Sequence, residues 1–468
     1  MKIESIDVTQ ALASAKKILE EESDLPNSIK AVFNVLILLV TILLNRLNLN
    51  SSNSSKSPST DPNRKRKLKN NSNKKRGGQL GHEGKRLNKV ENPDKITNIK
   101  IDKKTLPPGE YKEAGYESRQ VIDIKISRTV TEYRAQILIN SKGKKYVASF
   151  PKDVTSDVQY GNGLKANAIY MSQFQLIPYN RIQDCFAEQM NVFLSSGSIF
   201  NFNKEAYDRL EDFDKIVKNK LQKEAVVNAD ETGININGKR YWLHSTSNDL
   251  WTYFFPHEKR GSIAMDFIDI LPNFSGVLCH DHWKAYYNYN CLHSLCNAHH
   301  LRELEKSKED DNHKWAEKMK DFLIETNQKV MDSGGALNAG ESLEFRKKYR
   351  EILKSADIEC PAPVKIEGKK GRIKKSKSRN LIERLTKFEN DVLRFMENKQ
   401  VPFTNNQGEN DLRMTKVQQK ISGCFRSFEG AYIFCRIRSY LSTCRKHNVS
   451  ATDGLKILFK GKLPSFCY

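Results

Sequence analysis

The amino-acid sequence predicts a multidomain α/β protein with a mixed β-sheet in its central part. The chain has 468 residues, more than one ordinary hydrophobic core accommodates, so we expect about two to four domains. From residue 224 onward, three apolar or aromatic runs are separated by turn residues, and a helical stretch at 257–268 and a fourth apolar run follow. This order of elements predicts a mixed sheet that carries functional side chains at its strand tips.

The charge of the chain indicates a polyanionic partner. Lys and Arg number 78 against 56 Asp and Glu, which gives a formal net charge of +22. Such a field favours nucleic acid, the commonest polyanion, although a basic protein that is merely soluble would carry the same charge. The distribution of charge along the chain therefore has to decide between nucleic-acid binding and a basic surface that only keeps the protein soluble.

The cysteines and the apolar segments predict a cytoplasmic protein. Nine Cys are present, the first of them Cys185, and their spacing shows no paired framework. The first 22 residues are polar and acidic, unlike a signal peptide. The one strongly apolar run, 31–44, is interrupted by Asn34 and Thr41. It is shorter than the about 20 residues that span a bilayer, so we expect no membrane association.

The N-terminal unit, residues 1–50, is predicted to be helical. Its apolar residues recur at alternating steps of four and three, as in a coiled-coil seam: Ile29, Phe33, Leu36, Val40, Leu43 and Leu47. The seam predicts that this helix pairs with a partner helix in a homo-oligomer. Packing of the helix on its own domain is the alternative, and about three heptads do not separate the two.

A flexible basic linker is predicted at residues 51–90. Its first half is rich in Ser and Asn and cannot form a core. Its second half concentrates basic residues, and the candidates for DNA contact are Arg64, Lys65, Arg66, Lys67, Lys74, Lys75 and Arg76. A solvated linker is the alternative, but the density of the basic block favours contact with phosphates.

The remaining units follow from changes of pattern along the chain. Segments such as 119–126 alternate and are rich in β-branched residues, which predicts strands, and longer segments with a helical period come next. The predicted units are a β-rich unit at 91–155, a helical DNA-binding unit at 156–223, the sheet-containing core at 224–425 with a helical stretch at about 300–400, and a C-terminal helical region at 426–468.

Two acids stand at the ends of apolar runs in the predicted sheet. Asp230 ends the first run, in VVNADETG, and Asp281 ends the fourth, in GVLCHDHWKAY. Both would project at the same edge of the sheet, whereas their neighbours Glu231, His280 and His282 would alternate away. Converging carboxylates suit Mg²⁺, and a pair of such ions supports phosphodiester cleavage. A solvated surface charge is the alternative for any single acid, and it is less favoured at the end of an apolar strand.

A third acid is expected on the helix predicted at 404–421, which Asn405 or Asn406 could cap. Glu409 and Asp411 lie on different faces of this helix. Glu409 shares its face with three basic residues that are candidates for holding the DNA backbone: Arg413, Lys416 and Lys420. Helical spacing alone does not choose between the two acids.

Several motifs together resemble the transposases of the insertion-sequence-66 family. They are LNLNSSNSSKSPSTD and GGQLGHEG near the N-terminus, VNADETG, HDHWKAY and PFTNNQGENDLR around the three acids, and KVQQKISGCFRS and FCRIRSYLSTCRK near the C-terminus. The resemblance implies an RNase H-like catalytic core in which Asp230, Asp281 and Glu409 form a DDE triad. It implies that the triad binds Mg²⁺, for which Mn²⁺ can substitute, and that 300–400 is a helical insertion.

The same resemblance implies the partners and the location. The substrates are double-stranded DNA of the element ends and of the target, inside a bacterial cytoplasm and in association with the nucleoid. The resemblance is also compatible with accessory proteins of the same element as partners. We expect a transposase that frees a 3′ hydroxyl at the element end and joins it to target DNA. The alternatives are a catalytically inactive DNA-binding relic and a related nuclease that cuts without joining.

The sequence departs from the family pattern at two places. Many relatives have a Cys-rich zinc module after GHEG, but no Cys precedes Cys185 here, so the unit at 91–155 cannot hold zinc in that way. Relatives often have Ala before and Arg after the third acid, where this chain has Gly408 and Asn410. We do not expect the second departure to remove the activity.

Two further groups near the second acid have open interpretations. Cys296 and His299 resemble a Cys-x-x-His motif of several DDE transposases. We expect a structural pair rather than a zinc site. Trp283 and Tyr286 could stack on an unpaired base near the cut, and core packing is the alternative.

Overall fold

The computed structural model describes residues 2–3, 6–22, 25–47, 49–54, 61, 87–363 and 373–468. The strands are β1 (Lys2–Ile3), β2 (Ile6–Asp7), β3 (Ile137–Ile139), β4 (Lys145–Val147), β5 (Val226–Ile236), β6 (Lys239–Ser247), β7 (Thr252–His257), β8 (Val277–His280) and β9 (Leu292–Leu295). The predicted DNA contacts of the basic linker, from Arg64 to Arg76, lie outside the described residues.

Helices make up about half of the described chain. They are α1 (Val8–Glu21), α2 (Asn27–Leu47), α3 (Asn162–Ile169), α4 (Tyr179–Met190), α5 (Ser196–Arg209), α6 (Glu211–Gln222), α7 (Ser262–Ile268), α8 (Asn297–Asp311), α9 (Lys314–Asp332), α10 (Ala339–Glu359), α11 (Lys377–Lys387), α12 (Glu389–Leu393), α13 (Asn406–Ser422), α14 (Phe428–Lys446) and α15 (Ala451–Phe459).

The central sheet has five strands in the order β7-β6-β5-β8-β9. In this sheet, β6 is antiparallel to both β5 and β7, whereas β8 is parallel to β5 and β9 is parallel to β8. The predicted sequence of three strands, a helix and a fourth strand is confirmed, with α7 as the helix. The fifth strand, β9, was not predicted, because four residues of mixed polarity give no strand pattern of their own.

Helices cover both faces of this sheet. All four residues of β8 are buried, as expected for a central parallel strand. Leu278 belongs to a core cluster shared with α6 and α14, whereas Val277 and Cys279 belong to a cluster formed with helices α8–α12. Since successive strand residues point to opposite faces, this alternation defines which face any neighbouring side chain occupies.

Residues 91–155 contain one short hairpin, β3 paired with β4. The segment 119–126, predicted as strand, has no regular secondary structure, and its apolar side chains are exposed, as at Val121. A period-two pattern needs a covered face to form a stable strand, and none of the described elements covers this segment. The proposed division of the chain into units stays a prediction.

Helix α2 is longer than the apolar run that indicated it. Its first 18 residues, Asn27–Leu44, have a mean hydropathy of 2.1, and Ile37 alone among them is buried. By length and composition alone this helix could therefore cross a membrane, which corrects the length argument made from 31–44. Seam residues such as Phe33 and Leu43 are exposed, so the predicted homo-oligomer stays a prediction.

Candidate active site

Asp230 and Asp281 lie next to each other on one face of the sheet. Asn228 and Cys279 form the last parallel pair between β5 and β8. Asp230 and Asp281 each lie two residues farther along the chain, in the same register. They share the strand face of Cys279, which α8–α12 cover. Asp230 does not end its strand as predicted, because β5 continues to Ile236. It lies where pairing with β8 stops.

The N-terminus of α13 places Glu409 at this edge. Asn405 is the N-cap residue, as predicted, but its side chain makes no capping bond. Its Nδ2 instead donates to the carbonyl oxygen of Ala229 at 2.9 Å, which ties the start of the helix to β5. A Cβ atom at Gly408 would lie 3.4 Å from Cβ of Asp230. Glu409, in the first turn of α13, therefore lies beside the two aspartates.

The electrostatics of the site disfavour a negative charge on Asp230. Burial is the main cause that raises the pKa of Asp230 to about 8. Repulsion by Glu231, by Asp281 and, less strongly, by Glu409 adds to this shift. The backbone N–H of Glu231, which donates to Oδ1 of Asp230 at 2.8 Å, opposes it. Among the described residues, no basic side chain forms an ion pair with Asp230 or Asp281. A bound cation would supply the missing charge.

Glu409 has partners that orient it. Its Oε1 lies 3.6 Å from Nη2 of Arg302 and 4.0 Å from Nδ1 of His299, both on α8. The side chain is 39% exposed, so it keeps freedom to turn toward the aspartates. Arg302 was not singled out from the sequence, because nothing in its local pattern distinguishes it from other basic helix residues.

Cys296, His299 and Glu409 form a mixed group of metal-binding atoms. One such atom from each lies within 4.8 Å of the others. Two features oppose zinc binding at this group. Burial raises the pKa of the Cys296 thiol, which disfavours the thiolate that zinc binds, and the Arg302 cation lies next to the same Glu409 oxygen. The sulfur of Cys296 also accepts the backbone N–H of Asn405 at 3.1 Å. The arrangement suits a structural pair that supports the start of α13.

Glu231 is fixed on the opposite face of β5. Its carboxylate accepts bonds from Nε of Arg260 at 2.9 Å and from the hydroxyl of Tyr286 at 2.6 Å. The side chain is 1% exposed. Glu231 thereby points away from Asp230 and Asp281, as predicted. Tyr286 is buried and used in this contact, so of the two alternatives for this residue the structure has core packing.

Asp411 is occupied by another element. Its Oδ2 lies 3.0 Å from Nζ of Lys446 on α14, and both side chains are largely buried. Gln407 donates to the same oxygen at 3.1 Å. Asp411 therefore fastens α13 to α14, and of the two acids on this helix only Glu409 reaches the sheet edge.

Two histidines shape the turn that carries Asp281. The backbone N–H of His282 donates to Nδ1 of His280 at 3.2 Å, so the proton of the neutral His280 ring lies on Nε2 and faces Nδ1 of His293 at 3.1 Å. Burial holds the pKa of His280 well below its usual range, which keeps it neutral. His282 has a φ of 68°, a left-handed conformation that turns the chain away directly after the acid.

Comparison with known families decides the class of the protein. A model described as the transposase IS66 family matches residues 157–433, which is more than half of the chain. The chain belongs to the IS66 transposase family. A second model, for a family of unknown function (DUF6444), matches residues 14–88, which include α2 and the basic linker. No curated protein matches the chain. Membership makes DNA the substrate of this transposase.

The predicted DNA contacts of the transposase that lie in the described chain occupy different settings. Arg413 and Lys420 are exposed on α13. Lys416 donates from Nζ to the carbonyl oxygen of Gly233 on β5 at 2.9 Å. Trp283 is half-buried, and the guanidinium of Arg260 lies over its ring. Arg260 was missed from the sequence, because its partners come from distant segments.

Proposed function

We propose that this transposase cleaves the ends of its mobile element and transfers them to target DNA at one metal-dependent site. Asp230, Asp281 and Glu409 are the proposed metal ligands. The observation that carries the proposal is the placement of α13 against β5, which brings the third acid to the edge where the other two lie. The strand order, with three antiparallel strands followed by two parallel ones, supports an RNase H-like core.

The side chains present suit Mg²⁺, with Mn²⁺ as a substitute. Mg²⁺ prefers carboxylate oxygens and keeps several waters, so three acids can serve a pair of ions. Burial and, after it, repulsion by the neighbouring acids raise the pKa of Asp230, and both indicate a site suited to added positive charge. When bound, two such ions supply an activated nucleophile and neutralise the charge of the scissile phosphate.

The protein's own residues hold this arrangement in place. Asp230 and Asp281 come from adjacent parallel strands, so their separation is fixed by the sheet. Glu409 comes from the first turn of a 17-residue helix, whose N-terminal end favours the negative charge of a phosphate. Arg302 and His299 limit the orientations of Glu409. These contacts fix the backbone positions of the three acids, and the Glu409 side chain keeps freedom to turn toward the aspartates.

The same centre would serve both steps of the reaction. Hydrolysis frees a 3′ hydroxyl on the element end, and this hydroxyl then attacks a phosphodiester of the target and displaces one strand. Both steps place one attacking oxygen and one leaving oxygen in line at a phosphate, so one set of ligands suffices. We place this work in the cytoplasm at the nucleoid, in a homo-oligomer formed through α2, with accessory proteins of the element as further partners.

A strand-transfer assay with the element's own ends separates the proposal from its alternatives. The transposase produces both nicked ends and joined products with Mg²⁺ and neither with a chelator. Binding without cleavage under Mg²⁺ and Mn²⁺ would identify the catalytically inactive relic. Cleavage that releases 3′ hydroxyl ends but never joins them would identify the nuclease.

A further inference from the structure

A column of alternating arginine and tryptophan side chains lies next to the proposed active site. The guanidinium carbons of Arg240 and Arg260 lie 4.7 and 4.8 Å from the ring centroid of Trp242. Arg260 also lies 4.3 Å from the ring centroid of Trp283, two residues after Asp281. The column therefore runs from the β5–β6 hairpin to the turn that carries the second acid.

A groove of about 620 Å³ opens beside this column. Its lining includes Arg240, Trp242 and Arg260 on one side and Lys416 of α13 on the other, with Gly233 of β5 between them. A Cβ atom at Gly233 would lie 3.0 Å from Nε of Arg240. The absence of a side chain at this position thus lets the arginine lie close to the strand, and the backbone carbonyl of Gly233 anchors Lys416.

The groove has a net positive charge, because its one acid does not neutralise all of its basic residues. Glu231 is the one acid in its lining, and Arg260 neutralises it. Arg240 is exposed and, within the described chain, has no carboxylate partner. Lys416 contacts a neutral carbonyl oxygen. Three cations against one acid leave a net charge of about two positive units along the groove, enough to attract a polyanion.

We infer that this groove binds the backbone phosphates of the DNA strand that flanks the cleaved phosphodiester. This inference rests on the proposed function and adds the path that the DNA strand follows along the protein surface. The groove borders β5 beyond Asn228, the last residue that β8 pairs, and its lining begins at Glu231, the residue after Asp230. A strand held there would pass the edge of β5 that β8 leaves unpaired before it reaches the proposed metal ligands on the other face.

The chemistry of the column selects phosphate rather than a stacked base. Two guanidinium groups already lie over the Trp242 ring, so the column presents N–H groups in place of an open aromatic face. Arginine N–H groups match phosphate oxygens, and stacking on the ring restricts the guanidinium to one orientation. Glu231 holds Arg260 from the buried side, so this contact also links the groove to the strand that carries Asp230.

Salt-dependent DNA binding tests the inference without requiring cleavage. Full-length protein is titrated with a mixed-sequence DNA duplex in a buffer that contains a chelator. The logarithm of the association constant is then plotted against the logarithm of the salt concentration. In the double variant Arg240→Ala/Lys416→Ala, the slope should fall by about 0.9 for each phosphate that the protein no longer neutralises. The exposed Lys318 of α9 gives the matched control, and Lys318→Ala should leave the slope unchanged.

Further variants distinguish the outcomes. Arg240→Lys should keep most of the salt slope, since it keeps the charge. An unchanged slope in the double variant overturns the inference. If the double variant shows the expected decrease in slope and the wild-type protein never cleaves DNA, the groove stands and the proposed function fails.

Discussion

Gly408 of α13 lies directly against Asp230 of β5. A Cβ atom added at 408 would lie 3.4 Å from Cβ of Asp230 and 3.2 Å from the side chain of Asn405. The absence of a larger side chain thus determines how closely the helix approaches the strand. Because Glu409 is the next residue, the same contact determines where the third acid lies.

Substitutions at Gly408 should therefore show a graded effect on cleavage. Gly408→Ala needs a shift of a few tenths of an ångström, and a helix gains about 1 kcal/mol from Ala over Gly, so cleavage should stay within about threefold of wild type. Gly408→Val adds two methyl groups that meet Asp230 and push α13 away from β5. It should reduce the cleavage rate about a hundredfold or more, because a displacement of a catalytic group by about 1 Å lowers the rate by that factor. Single-turnover cleavage rates measure both effects. Equal activity of the two variants would contradict the close approach.

Glu409 and Asp411 provide a matched pair of substitutions on one helix. Glu409→Gln should abolish cleavage while leaving the melting temperature within a few degrees of wild type. Asp411→Asn should lower the melting temperature, because it leaves Lys446 largely buried without its carboxylate, at a cost of about 3 kcal/mol. At a temperature where the second variant is folded, it should cleave DNA. Loss of cleavage in folded Asp411→Asn together with activity in Glu409→Gln would reverse the assignment.

The raised pKa of Asp230 predicts a pH-dependent cost in stability. In the unfolded chain this carboxyl ionises near its ordinary pKa of 3.8, and in the folded protein only near a pKa of about 8. The folded state therefore loses stability as the pH rises from about 4 to 8. Asp230→Asn, which mimics the protonated form, should melt higher than wild type at pH 8, by about 2–4 °C for each kcal/mol relieved. At pH 4 the two proteins should melt at the same temperature.

Metal ions should reverse this difference. Mg²⁺ or Mn²⁺ binds the folded wild-type protein and should raise its melting temperature at pH 8, since a ligand of the native state stabilises it. The same ions should give a much smaller increase in Asp230→Asn, which lacks one ligand. Thermal denaturation with and without metal measures both. Equal metal-dependent increases in the two proteins would remove Asp230 from the metal site.

Zinc should be absent from the purified transposase. Burial raises the pKa of the Cys296 thiol, and the Arg302 cation lies beside the Glu409 oxygen, so both groups are disfavoured as zinc ligands. Elemental analysis should find zinc far below one ion per chain, and Cys296→Ser should keep DNA cleavage. About one zinc ion per chain in the wild-type protein, absent from Cys296→Ser, would show that the pair is a zinc site.

Much of the sheet was predictable because its strands are long or strongly apolar. The apolar runs before Asp230 and Asp281 indicated the first and fourth strands of the sheet, and period two correctly separated Glu231 from these two acids. The continuation of β5 beyond Asp230 was not predicted, because Thr232 and Gly233 interrupt the apolar pattern. Their strand conformation depends on the nine-pair antiparallel register with β6, which is a tertiary contact.

The surroundings of the site were harder to predict from sequence. Arg260 contacts Glu231 across 29 residues, and Asn405 reaches Ala229 across 176 residues. No local pattern marks such partners. The choice of Glu409 over Asp411 likewise rested on family motifs, and only the position of Lys446 on α14 provides the physical reason.

Cleavage by the three triad variants tests the central claim most directly. Wild-type protein, Asp230→Ala, Asp281→Ala and Glu409→Ala are each incubated with Mg²⁺ and DNA that carries the element ends, and DNA binding is measured on the same samples. The account predicts that every variant binds DNA and that each cleaves about a thousandfold more slowly than wild type or less. Full cleavage by any one of the three variants would contradict the assignment of these residues as the metal-binding triad.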